Sequence, residues 1–140
     1  MLIARALIDE LIAHASEDAP NECCGVVAVE AASSSSPARA VSVHRAVNTA
    51  ASPLKFEVDG RELLGLLDAI DQEGLELGAI YHSHTRTQPY PSQTDINFAV
   101  NWPGVEWIIV GLAGPEAPLV RSYLIESGTV EEVAIAETAM

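Results

Sequence analysis

Residues 82–95 constrain the fold of this chain most, because they place two histidines at the end of one predicted element and two polar residues at the start of the next. His82 and His84 close the mostly apolar run 77–84, which predicts a β-strand. Side chains at positions i and i+2 of a strand point to the same face of the sheet. The two imidazoles can therefore face one metal ion.

A loop containing Pro89 and Pro91 separates this strand from a predicted helix, whose first turn holds Ser92 and Asp95 on one face. The carboxylate of Asp95 can supply a third, hard ligand. Two neutral imidazoles and one carboxylate, with a fourth position left for water, form the open tetrahedral set expected of catalytic zinc. The same set can hold iron or manganese, and two histidines on one strand can also be a buried, hydrogen-bonded pair without a metal.

The hydrophobic pattern predicts one α/β domain over residues 1–140, with a mixed or mostly antiparallel sheet flanked by about three helices. Helical periodicity covers about 5–17, the stretch from Asp59 to about Gly74, and the residues after Ser92. Asp59 followed by Glu62 resembles a capping box at the second helix. Strand patterns occur at 25–30, 41–47, 77–84, 105–112, 119–125 and 130–135.

Charge and composition exclude several classes of partner. A formal net charge of -13 without a cluster of Lys or Arg excludes nucleic acid as a ligand; the acidity serves solubility or selects a partner with a basic face. No apolar run is long enough to span a membrane, and charged residues interrupt the first 18 residues, unlike in a secretory signal. The adjacent Cys23 and Cys24 make a poor disulfide pair and fit a reducing, cytoplasmic setting. A homodimer is compatible with this sequence.

Hydrolysis at such a site needs a second carboxylate that accepts a proton from water, since a metal lowers the pKa of water towards about 7 but does not remove the proton. Glu22, which precedes the two cysteines and the first strong strand, is the candidate; a solvated surface glutamate is the other interpretation. The Ser92 hydroxyl can stabilise an oxyanion or cap the third helix. His14 and His44 have no partner at a ligand spacing and are interpreted as ordinary polar residues.

A known family carries this pattern. His82-Ser83-His84, seven residues, Ser92, two residues and Asp95 resemble the H-[ST]-H-x7-S-x2-D signature of JAMM metalloproteases, also called MPN+ domains. The segment that begins with Glu22 and ends with Gly25 is similar to the upstream glutamate segment of that family. The resemblance extends over nearly the whole chain, and it implies a β-sheet flanked by helices, related to the fold of cytidine deaminases.

The resemblance also implies roles for individual residues. His82, His84 and Asp95 would be ligands of Zn²⁺, Glu22 the general base and acid, and Ser92 the residue that stabilises the tetrahedral intermediate. A deaminase itself is disfavoured, because the Pro-Cys-x-x-Cys ligands of that class are absent from the sequence.

The activity implied by the resemblance is cleavage after the flexible C-terminal Gly-Gly of a ubiquitin-like protein. This short chain is most similar to bacterial peptidases that release cysteine from the C-terminus of a ubiquitin-like sulfur-carrier protein, as a step of cysteine biosynthesis. An isopeptidase that removes a ubiquitin-like modifier from protein lysines is the alternative. A non-catalytic MPN scaffold is a third, disfavoured by the complete ligand set.

Overall fold

The computed structural model describes residues 1–138, which form one mixed β-sheet and three helices. The strands follow the order β7-β6-β5-β4-β2-β3-β1-β8 across the sheet. The pairs β4–β5, β1–β3 and β1–β8 are parallel, and the other neighbours are antiparallel. The elements are β1 (Leu2–Ala4), α1 (Arg5–Asp18), β2 (Cys24–Glu30), β3 (Arg39–Ala46), α2 (Gly60–Gln72), β4 (Glu76–His84), α3 (Gln93–Ala99), β5 (Glu106–Gly111), β6 (Leu119–Glu126), β7 (Thr129–Val133) and β8 (Ala136–Thr138). The predicted sheet flanked by three helices is confirmed.

Two features of the prediction need correction. The short strands β1 and β8 were not predicted, because three residues are too few to show a period; they form by pairing with each other, as Leu2 does with Ala136. The capping box at α2 is only half formed. The Asp59 side chain accepts from the N–H groups of Arg61 and Glu62, but Glu62 instead accepts from the N–H of Val47 at 2.9 Å. Glu62 thereby joins α2 to the end of β3.

The central strands β4 and β5 are buried on both faces of the sheet, as the nearly continuous apolar run of β5 predicts. Tyr81 and Ile108 pack on the side of α1, in a cluster that includes Ile8 and Leu11. The residues that alternate with these along β4 and β5 point to the opposite face of the sheet and belong to a second cluster beneath α2 and α3. The buried members of this cluster are Val26, Ala28, Ile70, Ile80, Ala99, Trp107, Ile109, Tyr123 and Ile125. His82 and His84 share the phase of Ile80 and therefore lie on the side of α2 and α3.

No helix within residues 1–138 has the length and apolar composition required to cross a membrane.

Gly25 in β2 lies where the sheet leaves no room for a side chain. It is opposite Tyr81 on β4, and a Cβ atom here would overlap the Tyr81 ring and lie 2.5 Å from the carbonyl oxygen of His44. Gly25 therefore allows Tyr81 to pack next to the strand that carries the histidines.

We expect Gly25→Ala to lower the free energy of unfolding by ~1–3 kcal/mol, because the added methyl group must displace the aromatic ring or the neighbouring strand. Urea denaturation measures this change. Gly65→Ala in α2 is the matched control: its Cβ atom meets no atom within 4 Å, and alanine favours a helix over glycine by ~0.5–1 kcal/mol. An unchanged midpoint for Gly25→Ala would contradict this account of the packing.

Candidate metal centre

His82 and His84 occupy the C-terminal end of β4, between two neighbouring strands that hold it on both sides. His82 pairs with Cys24 of β2 and with Ile109 of β5, and both histidines are buried, with 0% and 6% of their surface exposed. Strand pairing therefore fixes the backbone of both residues. The prediction that they share one face holds: their Nε2 atoms lie 3.1 Å apart.

Asp95 is held at the first turn of α3 by a capping box. The Ser92 N–H donates to Asp95 Oδ2 at 2.8 Å, and the Asp95 N–H donates to Ser92 Oγ at 3.2 Å. This reciprocal pair is the most local way for the chain to satisfy two free N–H groups of a helix start. It also orients the carboxylate. The hydroxyl of Ser92, which accepts one bond here, still has its own proton to donate.

The three side chains converge on one point. Asp95 Oδ2 lies 3.2 Å from His82 Nε2 and 3.6 Å from His84 Nε2. In a tetrahedral zinc site with bonds of about 2.0–2.2 Å, two ligand atoms are about 3.3–3.6 Å apart. The observed separations match that spacing. Within residues 1–138, His82, His84 and Asp95 are the group of His, Cys, Asp and Glu side chains close enough together to hold a metal ion.

The protonation of the site also fits a cation. His84 Nδ1 lies 2.9 Å from the carbonyl oxygen of Gln88 and must donate to it, so Nε2 is the ring atom that His84 presents to the centre. Burial opposes the charged imidazole, but Asp95 and the Gln88 carbonyl outweigh it and raise the pKa of His84, so a cation bound at Nε2 would displace a proton. Burial alone would raise the pKa of Asp95, but the imidazoles of His82 and His84 and the N–H of Ser92 outweigh it and hold that pKa well below its usual range. Asp95 therefore stays ionised.

His82 is fixed by an aromatic contact that the sequence pattern did not predict. Its ring stacks on Phe56, with centroids 4.6 Å apart and an angle of 25°. Phe56 lies in the loop between β3 and α2, so no local period marks it. The carbonyl of Gln88 was missed as well, because a backbone oxygen leaves no signal in the sequence.

Glu22 lies beside this centre although it is far from it in the chain. The Glu22 N–H donates to the carbonyl oxygen of Ser52 at 2.9 Å, and Asn48 Nδ2 donates to the carbonyl oxygen of Glu22 at 2.9 Å. Its side chain is buried, and no hydrogen bond or ion pair to the described part of the chain engages its carboxylate. With Ser92 and Asp95 it lines a narrow slot. Glu22 is thus no solvated surface residue.

The surroundings of Glu22 give it the pKa of a base that works near neutrality. Burial raises its pKa to about 7, an effect that the nearby His84 opposes and Asp95 reinforces. A carboxylate with this pKa can both accept and return a proton near pH 7.

The remaining histidines and both cysteines stand outside the centre. His14, predicted to be an ordinary polar residue, is instead buried, and its Nδ1 lies 2.7 Å from the hydroxyl of Tyr81. His44 bonds to the Ser42 hydroxyl at 2.9 Å. Cys23 and Cys24 form no disulfide, as predicted, and both are buried, which raises the pKa of each thiol to about 12.

Comparison with known proteins decides the family. Residues 4–126 match the family described as prokaryotic homologs of the JAB domain. The chain belongs to this JAB family. Family membership confirms the resemblance to JAMM/MPN proteins, identifies the chain as a hydrolytic enzyme, and agrees with a His-His-Asp group, since JAB/MPN proteins are typically metal-dependent.

Named JAB relatives cover most of the chain. It is 35% identical over 133 residues to the CysO-cysteine peptidase of Mycobacterium tuberculosis, covering 94% of this chain and 88% of that protein. It is 38% identical over 107 residues to the desampylase of Haloferax volcanii, covering 72% and 73%. It is 34% identical over 139 residues to a probable TtuB-protein conjugate cleaving protease of Thermus thermophilus, covering 96% and 81%.

Solved structures agree on the JAB fold. A protein from Desulfitobacterium hafniense superposes with a TM-score of 0.86 at 28% identity, covering 99% of this chain and 93% of that one. A JAB1/MPN domain protein from Archaeoglobus fulgidus gives a TM-score of 0.62 at 18% identity, with 98% of each chain covered.

Proposed function

We propose that this protein is a zinc-dependent peptidase that hydrolyses the bond after the C-terminal glycine of a ubiquitin-like sulfur-carrier protein, releasing cysteine or a short adduct. The observation that carries the proposal is the buried Glu22, whose carboxylate has no partner in the described part of the chain, beside the converged group of His82, His84 and Asp95. The relatives named for CysO, desampylation and TtuB conjugates support a carrier of the ubiquitin-like class.

His82, His84 and Asp95 would hold the zinc ion through Nε2, Nε2 and Oδ2. Bound there, zinc would polarise the scissile carbonyl and lower the pKa of water to about 7. The residue set fits zinc, because the ligand atoms have the spacing of a tetrahedral site and comprise two imidazole nitrogens and one carboxylate oxygen.

Glu22 moves the protons in this proposal. Its carboxylate accepts a proton from the attacking water and returns it to the nitrogen of the leaving amine, so the peptide bond breaks without release of an unstable amide anion. The Ser92 hydroxyl donates a hydrogen bond to the carbonyl oxygen as negative charge develops on it. The carbonyl of the substrate therefore faces Ser92, and its leaving amine faces Glu22.

The slot between Glu22 and Ser92 suits a glycine tail. Its walls include the apolar side chains of Leu54, Phe56 and Phe98, and the space between them is narrow. Glycine has no side chain, so a Gly-Gly end can enter in an extended form where larger residues clash. We assign the slot to the acyl side of the bond.

Residues 1–140 would act as one JAMM domain, since β4 of the single sheet and the helix α3 that follows it supply the three proposed ligands. The two free, buried cysteines fit a reducing, cytoplasmic setting.

Intact mass spectrometry tests the proposed function. We expect the zinc-loaded protein to remove the last residue from a CysO-type carrier that ends in Gly-Gly-Cys, and to leave the Gly-Gly end intact. The same carrier joined to a lysine side chain is the comparison, because the desampylase relative favours an isopeptidase as the second candidate. Strong preference for the lysine conjugate would replace the first candidate by the second, and no cleavage of either substrate would refute both.

A further inference from the structure

A second, larger cavity adjoins Glu22 on the side of α1. This cleft, which we call the α1-end cleft, has a volume of about 540 Å³ and is lined in part by His14, Glu17, Asp18, Asn21, Glu22 and Arg45. Pockets of roughly 300–1,000 Å³ accommodate drug-sized ligands, so the cleft has room for several residues of a peptide. Glu22 lines both this cleft and the slot that contains Ser92.

The position of Glu22 determines which part of a substrate would enter the cleft. Only 5% of the surface of Glu22 is exposed, and its carboxylate has no partner within residues 1–138. In the proposed reaction this carboxylate faces the leaving amine, whereas Ser92 faces the carbonyl. A chain that continues beyond the leaving amine therefore passes Glu22 and reaches the α1-end cleft.

Besides Glu22, the cleft holds a second carboxylate, that of Asp18, without a lysine or arginine partner among the described residues. Arg45 neutralises Glu17 through an ion pair of 2.7 Å. Within residues 1–138 the Asp18 carboxylate forms no ion pair with a lysine or arginine; it lies 3.3 Å from the His14 imidazole, whose pKa burial lowers. Asp18 is also the last residue of α1, where the helix dipole adds partial negative charge and the last turn holds no basic residue.

We propose that the α1-end cleft binds the leaving side of the substrate and selects leaving segments that carry a lysine or arginine, with Asp18 as the residue that determines this preference. The inference rests on the proposed function and adds a substrate class to it: carriers whose C-terminal glycine is followed by a basic segment. A cation in the cleft would pair with Asp18, whereas an acidic segment would meet Asp18 and Glu22 as like charges.

The test uses one CysO-type carrier extended after Gly-Gly by Ala-Lys-Ala-Lys, by Ala-Glu-Ala-Glu or by a single cysteine. We expect the wild-type, zinc-loaded protein to cleave the lysine extension with a kcat/KM about fivefold to tenfold above that of the glutamate extension, since a partly exposed charge pair is worth little more. Asp18→Asn should bring this ratio towards about 2, because asparagine still accepts from His14 but has no charge.

Two further variants make the result specific. Arg45→Gln frees the carboxylate of Glu17, so it should increase the preference for lysine, opposite to Asp18→Asn. Asp68→Asn, an equal change of charge on the exposed surface of α2, should leave the ratio unaltered. Equal cleavage of the lysine and glutamate extensions, or an unaltered ratio in Asp18→Asn, would overturn the inference about the cleft while leaving the proposed function in place. No cleavage of any extension, including the single cysteine, would instead refute the proposed function.

Discussion

Replacing Glu22 by glutamine should reduce kcat by about 10²–10⁴-fold while the metal content stays unchanged. Glutamine has nearly the same shape, but its amide cannot accept and return a proton, which is the contribution expected of a general base. Glu22 is not part of the converged His82, His84 and Asp95 group, so its replacement leaves the metal ligands in place. Intact mass of the Gly-Gly-Cys carrier measures turnover, and elemental analysis of the purified variant measures zinc.

The fold of this variant should be intact, because the wild-type carboxylate makes no hydrogen bond to residues 1–138 that glutamine would lose. The Glu22 backbone accepts from the Asn48 side-chain amide and donates to the Ser52 carbonyl, and neither bond depends on the side chain of residue 22. Glu10→Gln, on the exposed side of α1, is the matched control and should keep full activity. If Glu22→Gln retained more than about a tenth of wild-type turnover, Glu22 would not be the base.

Asp95→Asn should lose both tight zinc binding and turnover. The carboxylate is the one negative charge among the three proposed ligands, and it lies within 3.2–3.6 Å of both imidazole nitrogens. Even a change in the hydrogen-bond partner of a ligand weakens metal binding by roughly 10–100-fold, and loss of a charged ligand should exceed that. Titration with zinc in the presence of a competing chelator measures the affinity, and the carrier assay measures turnover.

The helix start should survive this substitution, since the side-chain oxygen of asparagine can accept from the N–H of Ser92 as Asp95 does. Asp59→Asn is a matched control, because Asp59 also caps a helix through its carboxylate but contacts no metal ligand. Zinc should raise the melting temperature of wild type and Asp59→Asn, but not that of Asp95→Asn. An unchanged zinc affinity in Asp95→Asn would show that the metal is held elsewhere.

The parts of the structure that depend on neighbouring residues could be predicted from the sequence. The period of two in β4 puts His82 and His84 on one face, and the three-residue spacing of Ser92 and Asp95 predicts the helix start that orients the carboxylate. Both relations are local, because a strand or a helix turn defines them within a few residues. The run of apolar residues in β5 likewise predicted a central strand.

The placement of Glu22 depends on contacts between distant parts of the chain. Antiparallel pairing of β2 with β4 sets Cys24 opposite His82, and this register brings the preceding Glu22 beside the metal centre. The same holds for the stacking of Phe56 on His82 and for the burial of His14 against Tyr81. The sequence by itself therefore determined the three proposed ligands and the type of fold. Only the tertiary structure decided the surroundings of Glu22. The register of β2 against β4 is set by the burial of whole strand faces, and the residues next to Glu22 in the sequence do not determine it.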